Sequence, residues 1–138
     1  MVAESSRTDS PSWQDLRAAL RGTLLRPGDD GYDERRRVWN GAIDRHPLAI
    51  AQCADAEDVA AAVKFAARER VPMTVRGGGH NVAGLAVRDD ALMLDLRFMN
   101  RVEVDAPSRI AHVEGGALWR DVDAATQPHG LATTGGFV

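Results

Sequence analysis

A chain of 138 residues, 44% apolar and 27% charged, has the size and balance of one modest globular domain. A net charge of −3 without charge blocks excludes the basic face that nucleic acid demands. The single cysteine, Cys53, excludes an internal disulfide framework, and no apolar run nears the ~20 residues that span a bilayer. The first ten residues lack the apolar stretch of a secretory signal, so a cytoplasmic location is expected, with no membrane partner.

In chain order, residues 1–11 read as a disordered leader. A helix is predicted over Ser12–Leu25, with Ser12 as N-cap, Asp15 three residues on, and Trp13, Leu16, Leu20 and Leu24 at helical spacing. Leader and helix form a first segment, 1–31; the domain proper is expected over 32–138. Pro27-Gly28-Asp29-Asp30-Gly31 is a loop signal, and residues 33–46 are too charged to assign.

A strand fits Leu48–Gln52. Asp55 then caps a helix that ends near Arg70, with Val59, Ala62, Val63 and Ala66 as its apolar stripe and Glu57 and Asp58 at the positive end of its dipole. Pro72 marks the exit, and Met73–Val75 reads as a short buried strand. Beyond the glycine loop, Ala91–Leu96, Val102–Val104 and Ile110–Val113 read as strands, the last two joined by the turn 105–108. Leu118–His129 reads as a helix, with Gly130 just past its end. The order is that of an α+β fold. A glycine-rich stretch at the C-terminus leads to the expectation that the chain continues in its parent protein.

The segment Arg76-Gly77-Gly78-Gly79-His80-Asn81 is the most unusual. Three consecutive glycines cost backbone entropy, so they need a reason. One reading is a tight surface turn. The other is an anion cradle, in which amides free of Cβ obstruction converge on a phosphate. Gly79 to Gly84 has the Walker spacing, but Leu85 and Ala86 stand where Lys and Ser/Thr are required. The dinucleotide fingerprint fails at Val82, where its third glycine belongs. Arg76 either neutralises a phosphate or pairs with a carboxylate. A nucleophilic His80 beside a cradle can contact or bond to the ligand held there. His46, His80, His112, His129 and Cys53 show no paired metal-ligand spacing.

The run Arg76-Gly77-Gly78-Gly79-His80-Asn81-Val82-Ala83-Gly84 closely resembles the flavin-attachment loop of FAD-linked oxidases. The group is the berberine-bridge-enzyme-like one, within the vanillyl-alcohol-oxidase/p-cresol-methylhydroxylase superfamily. Further blocks match in order: Arg37-Val38-Trp39-Asn40, Pro47-Leu48-Ala49-Ile50, Asp58 to Val63, Leu94-Asp95-Leu96, Val113 to Trp119 and His129 to Ala132. The resemblance implies an α+β FAD-binding domain of the p-cresol-methylhydroxylase type, here incomplete, with the cofactor between two subdomains. It implies that the amides of 76–81 wrap the pyrophosphate, that His80 bonds to the flavin 8α-methyl carbon, and that Gly84 lets the chain pass close to the cofactor. Thr133, Thr134, Gly135 and Gly136 would approach the flavin ring. The parent would oxidise a small alcohol or C–H substrate by hydride transfer to flavin, with oxygen as reoxidant. The alternatives are a fragment that holds FAD weakly or not at all, and a reductase that holds it without a bond.

Two departures bear on the transfer. Some relatives carry a second tether, a cysteine, where Val138 falls here, so a single tether is expected. Tyr32 does not match the family's catalytic tyrosine and reads as a packing residue, and Cys53 as a small buried one. Trp13, Trp39 and Trp119 read as core or interface residues, Asp95 as a strand residue with a structural hydrogen bond, and His129 as a helix C-terminal residue.

Overall fold

Alternation along two strands organises the molecule. The computed structural model describes residues 11–136. In β2 (Ala49–Gln52) and β4 (Leu92–Asp95) every residue is buried. Ala49, Ala51, Leu92 and Leu94 join the core on one face, and Ile50 and Met93 the core on the other. Such two-faced burial is the mark of a parallel strand pair, and β2 and β4 are parallel in the register Ala49↔Leu92 to Gln52↔Asp95. With β1 (Thr23–Leu25) and β3 (Met73–Arg76) they form a sheet of order β1-β2-β4-β3. β1 runs antiparallel to β2, and β3 runs parallel to β4.

The first face is covered by α1 (Trp13–Ala19) and α3 (Ala56–Glu69), through Leu16, Ala62, Phe65 and Ala66. Helix α3 starts where expected: the Asp55 carboxylate accepts from the amides of Glu57 and Asp58 at 2.9 and 3.0 Å. It ends at Arg70, whose φ of 56° is left-handed. The buried Asp58 carboxylate accepts from the amides of Arg21, Gly22 and Ala54 at 2.8–2.9 Å. It thereby ties the α1–β1 turn and the end of β2 to α3. The second face is covered by α2 (Tyr32–Arg35), Val38, Ala86 and Val87. Tyr32 donates to the Pro47 carbonyl at 2.6 Å, a packing role.

A second, two-stranded sheet pairs β5 (Val102–Asp105) with β6 (Ile110–Val113), beside α4 (Trp119–Thr126). The Asp121 carboxylate accepts from the Leu118 amide at 2.8 Å and so closes the start of α4. The last three residues of the expected helix, Gln127–His129, form a 3₁₀ turn that stops at Gly130, φ 66°.

Three expectations are corrected. The helix over 12–25 breaks after Ala19, and Thr23–Leu25 is a strand, because Gly22 passes so close to β2 that a Cβ there would lie 1.8 Å from the Gln52 carbonyl oxygen. Ser12 sits at the N-cap, but its side chain makes no capping bond. The strand 73–76 is an edge strand and not a buried one, with Val75 51% exposed. The expected leader lies outside the described residues except for Pro11, and Val138 lies outside them too.

Candidate cofactor site

Parallel strands β2, β4 and β3 present their carboxyl ends on one edge of the sheet, where ligands of open α/β sheets collect. The loop that leaves β3 there is residues 77–84. Gly79 has φ 75°, and a Cβ on it would come 2.8 Å from Arg76 Nε. A Cβ on Gly77 would lie 2.6 Å from the Gly115 carbonyl, and one on Gly116 only 1.8 Å from the Leu96 carbonyl. The glycines are therefore required by the close meeting of three turns, at 77–79, 96–97 and 115–116. Among the described residues, no protein acceptor takes the amide hydrogens of Gly77, Gly78, Gly79, His80 or Asn81. Consecutive unpaired amides in a crowded turn await an acceptor.

Arg76 lies beneath them, 6% exposed, with Nε and Nη1 buried and unpaired. Register places it opposite Asp95, yet the fully buried Asp95 is taken by Arg97, through Nε at 2.8 Å and Nη2 at 2.6 Å. Arg97 Nη2 also reaches the Arg35 carbonyl at 3.3 Å. Burial pulls the Arg76 guanidinium below its usual pKa; the charge of Arg97 adds to this, Asp95 offsets part of it, and the charge of Arg35 lowers it a little further. Arg97 thus takes this buried carboxylate and leaves Arg76 without a partner among the described residues. Of the two sequence readings of Arg76, pairing with a carboxylate is not realised among the described residues, and the excess positive charge beneath free amides fits an anion.

His80 is exposed at the end of the glycine run, beside a cleft of about 490 Å3 lined also by Gly78, Ala117, Leu118, Trp119 and Val122. Its ring stacks with Trp39 at 6.4 Å between centroids and 19° between planes. The Trp39 amide donates to the Gly79 carbonyl at 3.0 Å, and Asn40 Nδ2 to the Val82 carbonyl at 2.8 Å. Asn81 turns inward on its own loop, its Oδ1 accepting from the Leu85 amide at 3.1 Å. Gly84 is buried with φ 70°, and the space a Cβ would fill is held by Ile43, 2.7 Å away. A packing reason therefore stands beside the cofactor reason for that glycine.

Thr133 lines a second cleft, of about 660 Å3, between the β5–β6 hairpin and α4. Gly135 packs so tightly on the Trp119 indole that a Cβ would overlap it at 1.9 Å. Thr134 and Gly136 are exposed on the same segment. Trp119 faces both clefts and links the His80 side to residues 133–135. Trp39 and Trp119, read from sequence as core or interface residues, are 59% and 42% exposed and flank the loop region. Trp13 does pack on the core, 5.2 Å from Phe65. Arg35 and Arg97 carried no sequence signal; only their convergence on Arg76 and Asp95 marks them.

Elsewhere, Cys53 is fully buried, donates weakly to the Ala51 carbonyl at 3.6 Å, and has its thiol pushed up to about 12, chiefly by burial. Among the described residues no group of three metal-ligating side chains converges, and no helix is long and apolar enough to cross a membrane.

A family model described as an FAD binding domain matches residues 47–136. The (R)-6-hydroxynicotine oxidase of Paenarthrobacter nicotinovorans is 35% identical over 119 residues, which is 86% of this chain and 26% of that protein. An FAD-linked oxidoreductase of Aspergillus fumigatus is 32% identical over 88% of this chain and 26% of its own length. Among solved structures, a 6-hydroxy-D-nicotine oxidase from Arthrobacter nicotinovorans superposes with a TM-score of 0.77 at 34% identity, over 80% of this chain and 24% of that one. A carbohydrate oxidase from Microdochium nivale gives 0.76 at 26% identity, over 86% and 25%. The chain spans about a quarter of the length of these relatives.

Proposed function

The chain belongs to the FAD binding domain family of FAD-linked oxidoreductases, within the vanillyl-alcohol-oxidase/p-cresol-methylhydroxylase superfamily, and on that premise we propose that it holds the pyrophosphate and supplies the tether of a covalent FAD through His80. The observation that carries the reading is the row of unpaired amides from Gly77 to Asn81 above the unpaired, buried guanidinium of Arg76. Donors without acceptors around a surplus positive charge suit a diphosphate, which brings several acceptor oxygens and two negative charges.

When bound, FAD supplies a ring that accepts a hydride at N5 and surrenders the electrons to oxygen. The residues of this chain bind and orient. The amides of 77–81 and Arg76 would hold the diphosphate, and Ala117, Leu118 and Trp119 would set an apolar wall beside His80. One ring nitrogen of His80 would form the bond to the 8α-methyl carbon. Thr133, Thr134, Gly135 and Gly136, beside Trp119, would border the ring. The substrate is a small molecule bearing an alcohol or an activated C–H bond.

The test is the visible spectrum of the purified full-length protein before and after acid precipitation. A pellet that keeps the flavin colour, lost in His80→Ala, is the expected result. Colour released wholly to the supernatant overturns the tether, and a protein that takes up no FAD at all overturns the cradle.

A further inference from the structure

We infer that Trp39 is a positioning residue that orients the His80 imidazole for its bond to the flavin, an inference that rests on the reading of His80 as the tether. Neither ring nitrogen of His80 has a hydrogen-bond partner among the described residues, so no polar contact fixes the ring. Two other contacts do. The Trp39 indole stacks with it, near parallel, within the range of offset aromatic pairs. Gly78 lies so close that a Cβ would sit 2.8 Å from His80 Cδ2 and 3.4 Å from Nε2.

Trp39 is held in turn. Its amide binds the Gly79 carbonyl, and the Asn40 side chain binds the Val82 carbonyl while its Oδ1 takes the Ala42 amide at 3.0 Å. Segments 39–42 and 79–82 are therefore stitched together on both sides of His80. Val38, one residue earlier, is buried and anchors the strap. The indole itself, 59% exposed, is not placed there by core packing. What the indole does touch is the His80 imidazole, and a ring plane stacked there limits the rotamers open to that imidazole.

Orientation matters because the reacting atoms must be aligned. In the step, a C–N bond forms between a His80 ring nitrogen and the 8α-carbon, while one C–H and one N–H bond break. The two electrons released reduce the flavin ring, and molecular oxygen then removes them with two protons as hydrogen peroxide. Only ring orientations that aim a nitrogen at the methyl carbon are productive.

The experiment uses the full-length protein produced flavin-free and mixed with FAD. Covalent incorporation is followed as acid-stable flavin over time, and non-covalent affinity is measured in the His80→Ala background. Trp39→Ala is expected to slow incorporation roughly twofold to tenfold, the range of a stacked aromatic pair, with non-covalent affinity unchanged. Trp39→Phe restores the rate because it restores a ring plane. Trp39→Leu, which keeps apolar bulk without one, behaves as alanine does and serves if the alanine variant does not fold. Incorporation at the wild-type rate in Trp39→Ala or Trp39→Leu overturns the inference, as does a proportional loss of non-covalent affinity. Wild-type protein that binds FAD but never acquires acid-stable flavin overturns the tether and this inference together, whereas normal tethering in the Trp39 variants sinks the positioning role alone.

Discussion

Replacing Arg76 by methionine separates stability from cofactor affinity. The guanidinium is buried with two unpaired nitrogens, and burial together with Arg97 disfavours its charge. A buried polar group left unpaired costs about 1–3 kcal/mol. Methionine keeps most of the length and apolar volume of the side chain and removes the unpaired donors. The flavin-free protein should therefore gain about 1–3 kcal/mol from Arg76→Met, which at roughly 2–8 °C per kcal/mol is a rise of several degrees in Tm. Affinity should move the other way. Charge-assisted hydrogen bonds to a diphosphate contribute about 1.5–3 kcal/mol, so non-covalent FAD binding should weaken about 10- to 150-fold. The assay is thermal unfolding of flavin-free wild type and variant by circular dichroism, paired with FAD titration in the His80→Ala background. A flavin-free variant that melts below wild type would refute the reasoning, because the guanidinium would then be supporting the fold. Unchanged affinity would remove Arg76 from the cradle.

Three further outcomes are expected. Gly79→Ala places a Cβ at φ 75° and 2.8 Å from Arg76 Nε, so it should destabilise by about 1–2 kcal/mol and weaken FAD binding; unchanged binding would mean the loop has room to spare. Asp58→Ala orphans three backbone amides and should cost at least about 3 kcal/mol, read as a lower urea midpoint at constant m; a shift below 1 kcal/mol would deny the carboxylate its tethering role. The Cys53 thiol, pushed up from 9.0 to about 12 by burial, should resist alkylation at pH 9.0, where about one native thiol in a thousand is ionised against half of unfolded ones. Because the native value is the higher one, its contribution to stability is intact below pH 9.0 and lost as pH climbs toward 12. Rapid alkylation of the folded protein at pH 9.0 would contradict this burial.

Much of the fold was legible because local signals agreed with the tertiary outcome. Helix α3 carried its own N-cap and acidic first turn, and the structure uses both; of its expected stripe Val59, Ala62 and Ala66 face the core, while Val63 is exposed and Phe65 is buried in its stead. The N-terminal segment misled because Leu16, Leu20 and Leu24 keep helical spacing while all three enter the same core from a helix, a turn and a strand. Gly22 was the available signal for the break. The exposure of β3 was not legible, since whether a short apolar run lies at the edge depends on strand order and not on its own residues. At the site, the glycine run announced itself, but the isolation of Arg76 did not. It arises because Arg97, two residues beyond Asp95, takes the carboxylate that register sets opposite Arg76. The pairing of Trp39 with His80 spans 41 positions of sequence and is visible only in three dimensions.

Peptide mapping of the full-length protein shows directly whether His80 carries the flavin. Trypsin cuts after Arg76 and Arg88 and releases residues 77–88 with His80 as their one histidine. This peptide is expected to carry the mass and the yellow absorbance of a flavin, with fragmentation placing it on His80. The peptide at its unmodified mass, from protein that copurifies with FAD, would contradict that assignment.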